Sequence, residues 1–123
     1  MITTFLQVAL GGAIGASLRY ASNIGTMRLF GPGFPAGTLF VNIAGSFLMG
    51  ALAVTLAHKD ATRLAPLLMT GVLGGFTTFS AFSLDAFTLY ERGEVTTALF
   101  YIAASVILSL AALAAGILDE DQA

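Results

Sequence analysis

Long apolar stretches without charge, separated by short polar gaps, organise this chain. A helix needs about 20 mainly apolar residues to cross about 30 Å of hydrocarbon at 1.5 Å per residue. Four stretches meet that need, the first marginally, and predict spans over about 2–20, 38–57, 64–84 and 95–118. Arg19 and Tyr20 close the first, suited to snorkelling and to the headgroup interface. Asp85 stops the third, and Asp119, Glu120 and Asp121 stop the fourth. Gly31-Pro32-Gly33-Phe34-Pro35 is a turn-rich gap between the first two spans. His58-Lys59-Asp60 with Arg63, and Glu91-Arg92-Gly93-Glu94, make the other connections. With so little chain between spans, residues 1–123 read as a single transmembrane domain of all-α class. Met1-Ile2-Thr3-Thr4 lacks the basic leading region of a signal peptide, so the first stretch is expected to be a retained span.

Composition agrees with lipid as the main solvent. Apolar types make up 57% of the residues and charged types 10%, against roughly 25% charged in an ordinary soluble domain. A chain this short has too little polar surface to coat a soluble globule. The net charge of -2, with no basic cluster, argues against a nucleic-acid partner. Cysteine is absent and His58 is the lone histidine, which excludes disulfides, zinc-thiolate sites and multi-histidine metal centres. No Ser/His/Asp set can form around a loop histidine, so the chain does not read as an enzyme.

Lysine and arginine in short loops decide membrane orientation, and here they nearly balance. Lys59 and Arg63 lie on one side; Arg19, Arg28 and Arg92 lie on the other. Two outcomes are open: a single orientation fixed by other features, or insertion both ways with antiparallel pairing about an axis in the membrane plane. The small-residue patterns Gly11-x-x-x-Gly15, Ser46-x-x-x-Gly50 and Gly71-x-x-x-Gly75 fit either subunit association or tight packing within one chain.

The third span carries the most distinctive chemistry. Gly74-Gly75-Phe76-Thr77-Thr78 sets two glycines and two threonines in its middle, a composition that resists a continuous helix. A break there would release carbonyls suited to a small monovalent cation; the alternative is a continuous helix whose glycines only permit close packing. Phe76, Phe79 and Phe82 recur every third residue, beside a hydroxyl row of Thr77, Ser80 and Ser83. Such a face offers hydroxyl donors and positive ring edges to an anion, or simply packs. Asn42 adds an amide in the second span, and Tyr101, Ser105 and Ser109 form a polar line at four-residue spacing in the fourth. No span holds an interior acid unless Asp85 lies deep, which weighs against a proton-coupled cation exporter.

These residues resemble the small bacterial membrane proteins of the CrcB or Fluc family. The likeness rests on Gly74-Gly75-Phe76-Thr77-Thr78-Phe79-Ser80-Ala81-Phe82-Ser83, on 37–47 around Asn42, and on Gly15-Ala16-Ser17-Leu18-Arg19-Tyr20, in the family's order and spacing. Asp85 stands where the family often has glutamate. The resemblance implies four transmembrane helices with the third broken mid-membrane, in a dual-topology antiparallel homodimer in the bacterial inner membrane. It implies passive, fluoride-selective export through two pathways, driven by voltage and by entry of the acid form, with a structural sodium ion at the subunit interface. Carried over residue by residue, Phe79 and Phe82 contact fluoride by their ring edges and Asn42 donates to it. Ser80, Ser83, Tyr101, Ser105 and Ser109 lie along the pathway, Arg19 shapes the vestibule, and the Gly74 and Thr77 carbonyls hold sodium. Outside this class, an exporter working through Asp85 and a non-transporting membrane scaffold remain as alternatives.

Overall fold

The computed structural model describes residues 1–121, and among these no strand occurs. Helix α1 spans Ile2–Phe30 and α2 spans Ala36–His58. A 3-10 turn (Thr62–Leu64) and a π-helical stretch (Pro66–Leu73) lead into a short α3, Gly74–Phe76. After two non-helical residues come α4 (Phe79–Glu91) and α5 (Val95–Asp121). Three segments are long and apolar enough to cross a membrane: Ala36–His58, Thr62–Glu91 and Val95–Asp121. Helix α1 is not one of these; it carries Thr3, Thr4, Gln7, Arg19 and Arg28.

The first helix is longer than the span expected over about 2–20. Instead of closing near residue 20 it continues to Phe30 and stops where Gly31 turns left-handed, at φ 78°. Arg19 therefore sits within a helix rather than at its end, and the expected snorkelling position is replaced by a contact described below. Two later helices end in Schellman geometry. Asp60, at φ 53°, lets the Ala61 N–H reach the Leu56 carbonyl at 2.8 Å, and Gly93, at φ 83°, lets the Glu94 N–H reach the Leu89 carbonyl at 3.0 Å.

Short connections make successive helices antiparallel, so alternate ones run parallel, and glycines bring two such pairs into backbone contact. Along α1 and the π-helical stretch, a Cβ on Gly15 would lie 2.0 Å from the Val72 carbonyl oxygen, and one on Gly11 would lie 2.8 Å from the Gly71 Cα. Along α2 and α5, a Cβ on Gly50 would lie 2.3 Å from the Leu113 carbonyl oxygen, and one on Gly116 would lie 2.1 Å from that of Phe47. In lipid no hydrophobic force drives helices together, so such close van der Waals approach is the main source of cohesion. The small-residue patterns thus serve packing within the chain. Between the pairs, Phe82, Leu89, Ala98 and Tyr101 form a buried cluster, with Phe34, Leu39 and Ala86 packed against it.

Candidate functional site

Two residues between α3 and α4, Thr77 and Thr78, organise the site. Thr77 has φ -89° and ψ 160°, and Thr78 has φ -155° and ψ 127°, so both are extended. Backbone groups freed at such a point cannot turn to water inside a bilayer and need protein partners. The Asn42 amide on α2 supplies two: its Nδ2 donates to the Thr78 carbonyl at 2.9 Å, and its Oδ1 accepts the Thr78 N–H at 2.8 Å. Thr78 then caps α4, its hydroxyl accepting the Ala81 N–H at 3.1 Å. Thr77 turns its hydroxyl back to the Leu73 carbonyl at 2.9 Å.

At the carboxyl end of α3, Arg19 Nε donates to the Gly75 carbonyl at 3.0 Å. A guanidinium at the end of a helix meets its partial negative charge. The Gly74 and Thr77 carbonyls accept no hydrogen bond among the described residues, so two oxygens remain free beside the one that Arg19 occupies.

A cleft of about 320 Å³ opens beside the interruption, lined by Asn42 and Ser46 from α2, Phe79 and Phe82 from α4, and Ser105 and Ser109 from α5. Among the described residues, no charged side chain lines it. Besides Thr77 and Thr78, its polar groups belong to two facing rows that run on beyond it: Thr38, Asn42 and Ser46 fall four apart on α2, as do Tyr101, Ser105 and Ser109 on α5. The Gly50–Leu113 contact sets these parallel helices in a register that brings the rows level. The Ser105 and Ser109 hydroxyls are buried and have no hydrogen-bond partner among the described residues. That is unusual, because a helical serine can satisfy itself on the preceding turn. The two phenylalanine rings pack at 5.4 Å between centroids and 51° between planes; Phe82 is buried and Phe79 is 77% exposed.

The cleft therefore gathers Asn42, Phe79, Phe82, Ser105 and Ser109 from the expected set. Ser80, Ser83 and Tyr101 lie outside it. Ser83 Oγ donates to the Phe79 carbonyl at 3.0 Å, and Ser80 Oγ is 3.3 Å from Thr78 Oγ1. Tyr101 is wholly buried, its phenol donating to Asp85 Oδ2 at 3.2 Å. Asp85 is half-buried and does not reach the cleft. Ser46 and Thr38 were not singled out for this chemistry, although their four-residue spacing from Asn42 was a readable signal. Thr78 was missed as the cap of α4, because a cap shows only once the break is placed.

The family model described as CrcB-like protein, Camphor Resistance (CrcB), matches residues 6–117. A fluoride-specific ion channel FluC of Cereibacter sphaeroides is 68% identical over 116 residues, covering 94% of this chain and 93% of that protein. A protein of the same description from Paracoccus denitrificans is 64% identical over 114 residues, covering 93% and 91%. One from Ruegeria sp. is 61% identical over 119 residues, covering 96% and 94%.

Proposed function

Because this chain belongs to the CrcB family, we propose that it is a fluoride-selective channel, a multi-pass membrane protein through which the ion leaves the cell passively. The observation that carries this reading is the pair of orphaned hydroxyls, Ser105 and Ser109, in an uncharged cleft shared with Asn42 and two phenylalanine rings. Buried donors without acceptors are costly unless something arrives to accept from them. Fluoride does so as a small anion that must exchange its water for other donors. Asn42 keeps one Nδ2 hydrogen free of Thr78, the serine hydroxyls add two more donors, and ring edges contribute positive quadrupole. With no fixed positive charge in the cleft, the ion is held weakly enough to leave, as conduction requires. Arg19 supplies a cation nearby that raises the local anion concentration.

The proposal extends to architecture. Helix α1 completes four spans, the third interrupted at Thr77 and Thr78, and two copies of opposite orientation form two pathways. The near balance of basic residues supports that pairing, as does the exposed ring of Phe79 at an incomplete wall. Sodium fits the carboxyl end of α3: the Gly74 and Thr77 carbonyls are hard oxygen donors without hydrogen bonds, and would hold it. When bound, the ion would offset the partial negative charge of those carbonyl oxygens. The deciding experiment is fluoride-against-chloride efflux from liposomes holding the purified protein. Fluoride loss well above empty liposomes, without chloride loss, is expected; equal rates of both, or neither, would end the reading.

A further inference from the structure

The connection between α1 and α2, Gly31–Pro35, carries a turn of its own and a contact from the end of α4. Pro35, at φ -78° and ψ 64°, is the centre of an inverse γ-turn in which the Ala36 N–H donates to the Phe34 carbonyl at 2.8 Å. The proline ring fixes that φ. From the end of α4, Arg92 Nη1 donates to the Gly33 carbonyl at 3.4 Å. So pinned, the loop directs Phe34 inward against the Phe82, Leu89, Ala98 and Tyr101 cluster. Its ring centroid is 5.6 Å from that of Tyr101, with planes at 89°. Phe79, Phe82, Tyr101 and Phe34 thus form a gapless aromatic series from the cleft to the loop, at 5.4, 5.3 and 5.6 Å.

Phe34 also stands between two cavities. One, of about 260 Å³, reaches the buried Thr38 and Asp85; the other, of about 150 Å³, lies beside Arg92. Met27, Phe34, Pro35 and Asp85 line both. A Gly-Pro-Gly-x-Pro turn has no need of an aromatic residue, so the ring requires another explanation.

We propose that Phe34 is the apolar plug of the loop-side end of the pathway, sealing the buried Thr38, which lines the first cavity alone, from the cavity beside Arg92. An apolar constriction excludes water and larger ions by dewetting, with no charge to trap the conducted one. This rests on the channel reading, but its main test does not use flux. Since the chain lacks cysteine, a single Thr38→Cys substitution reports water access at that buried position. A charged, membrane-impermeant thiosulfonate, given to the purified dimer or monomer in detergent, should modify it slowly. Adding Phe34→Ala should speed modification by about tenfold or more, while Phe34→Leu, which retains bulk, should leave it within about threefold. In liposomes Phe34→Ala without the reporter should admit chloride. An unchanged modification rate in Phe34→Ala overturns the plug, as does equal acceleration by leucine, which would make aromatic support of Tyr101 the ring's role. Should alanine not yield folded protein, Phe34→Val must give an intermediate rate, and a rate equal to that of Phe34 overturns the proposal. Absence of fluoride efflux from the unsubstituted protein counts against the channel instead, because the accessibility series is read without it.

Discussion

Two parallel helix pairs use glycine in the same way at first and then diverge. Along α2 and α5, Gly50 and Gly116 bring the backbones together and both helices continue unbroken, from Ala36 to His58 and from Val95 to Asp121. Along α1 and its partner, Gly11, Gly15, Gly71 and Gly75 do the same, yet the partner leaves the helix after Phe76. Glycine content does not separate the two cases. What does is the surrounding supply of polar side chains. Asn42 serves both backbone groups of Thr78, Arg19 serves Gly75, and the Thr78 hydroxyl starts the next helix. A break in lipid is tolerated where neighbours replace the lost bonds, and glycine alone marks only where backbones meet.

The largest effects should come from filling either seam. Gly116→Val would drive its side chain into the Phe47 carbonyl, and Gly15→Val into that of Val72; neither backbone can retreat without separating its helices. Both variants should lose folded protein, measured as the monodisperse fraction in detergent. Gly12→Ala is the control, since a Cβ there meets nothing within 4 Å. If Gly12→Ala were as damaging as Gly15→Val, the seams would not be what holds the chain together.

Next in size are the rings, which belong to the interrupted pair alone. Phe82→Ile and Phe79→Ile keep apolar volume and remove the quadrupole, so fluoride efflux should fall by about tenfold or more with the protein still folded. Phe76→Ile should be milder, because Phe76 does not line the cleft. Equal tolerance at all three would leave the cleft's donors to carry the ion alone.

Asn42 sharpens the comparison further, since its amide serves the backbone and faces the cleft at once. Asn42→Ala leaves the Thr78 N–H and carbonyl unpaired, each at a cost of about 1 to 3 kcal/mol, and should lower both thermal midpoint and flux. Asn42→Asp can still accept from the Thr78 N–H but cannot donate, and it puts a negative charge in the anion's path. It should therefore recover part of the stability and none of the flux. Equal recovery of both would make Asn42 a clamp only.

How much of this was readable in the sequence differs between the pairs. Helix α2 begins at Ala36 and ends at His58, close to the expected 38–57, because a run of apolar residues between a proline-rich turn and charges has few other outcomes. Helix α1 contains the span expected over about 2–20 but runs on to Phe30, beyond the boundary that hydropathy sets at Arg19. Its charge is instead met by a carbonyl on another helix, a long-range contact with no local signature. The π-helical turn of Pro66–Leu73 likewise had no signal in composition. For the site, the α5 row and Asn42 could be seen from residue type and spacing. The separation of Ser80 and Ser83 from the cleft could not, because it depends on how α4 turns after Thr78, nor could that of Tyr101, which goes with its long-range contact to Asp85.

The smallest effect expected is at Arg19, where charge and hydrogen bonding can be separated. Nε donates to the Gly75 carbonyl, and the whole guanidinium adds a positive field at the end of α3. Arg19→Lys keeps the charge but replaces the planar donor with a point charge on a flexible stem. Arg19→Gln keeps an amide donor and removes the charge. If the field matters for ion capture, lysine should hold fluoride efflux within about threefold of the unsubstituted rate at low ionic strength, and glutamine should lower it more. That gap should narrow as salt is raised, because screening weakens a field and leaves a short hydrogen bond largely intact. Thermal midpoints test the other role: glutamine above lysine would make the Gly75 contact the main stabilising term. A lysine variant matching the unsubstituted protein in both measurements would reduce Arg19 to its charge, and the interrupted helix would then rest on Asn42 and Thr78 alone.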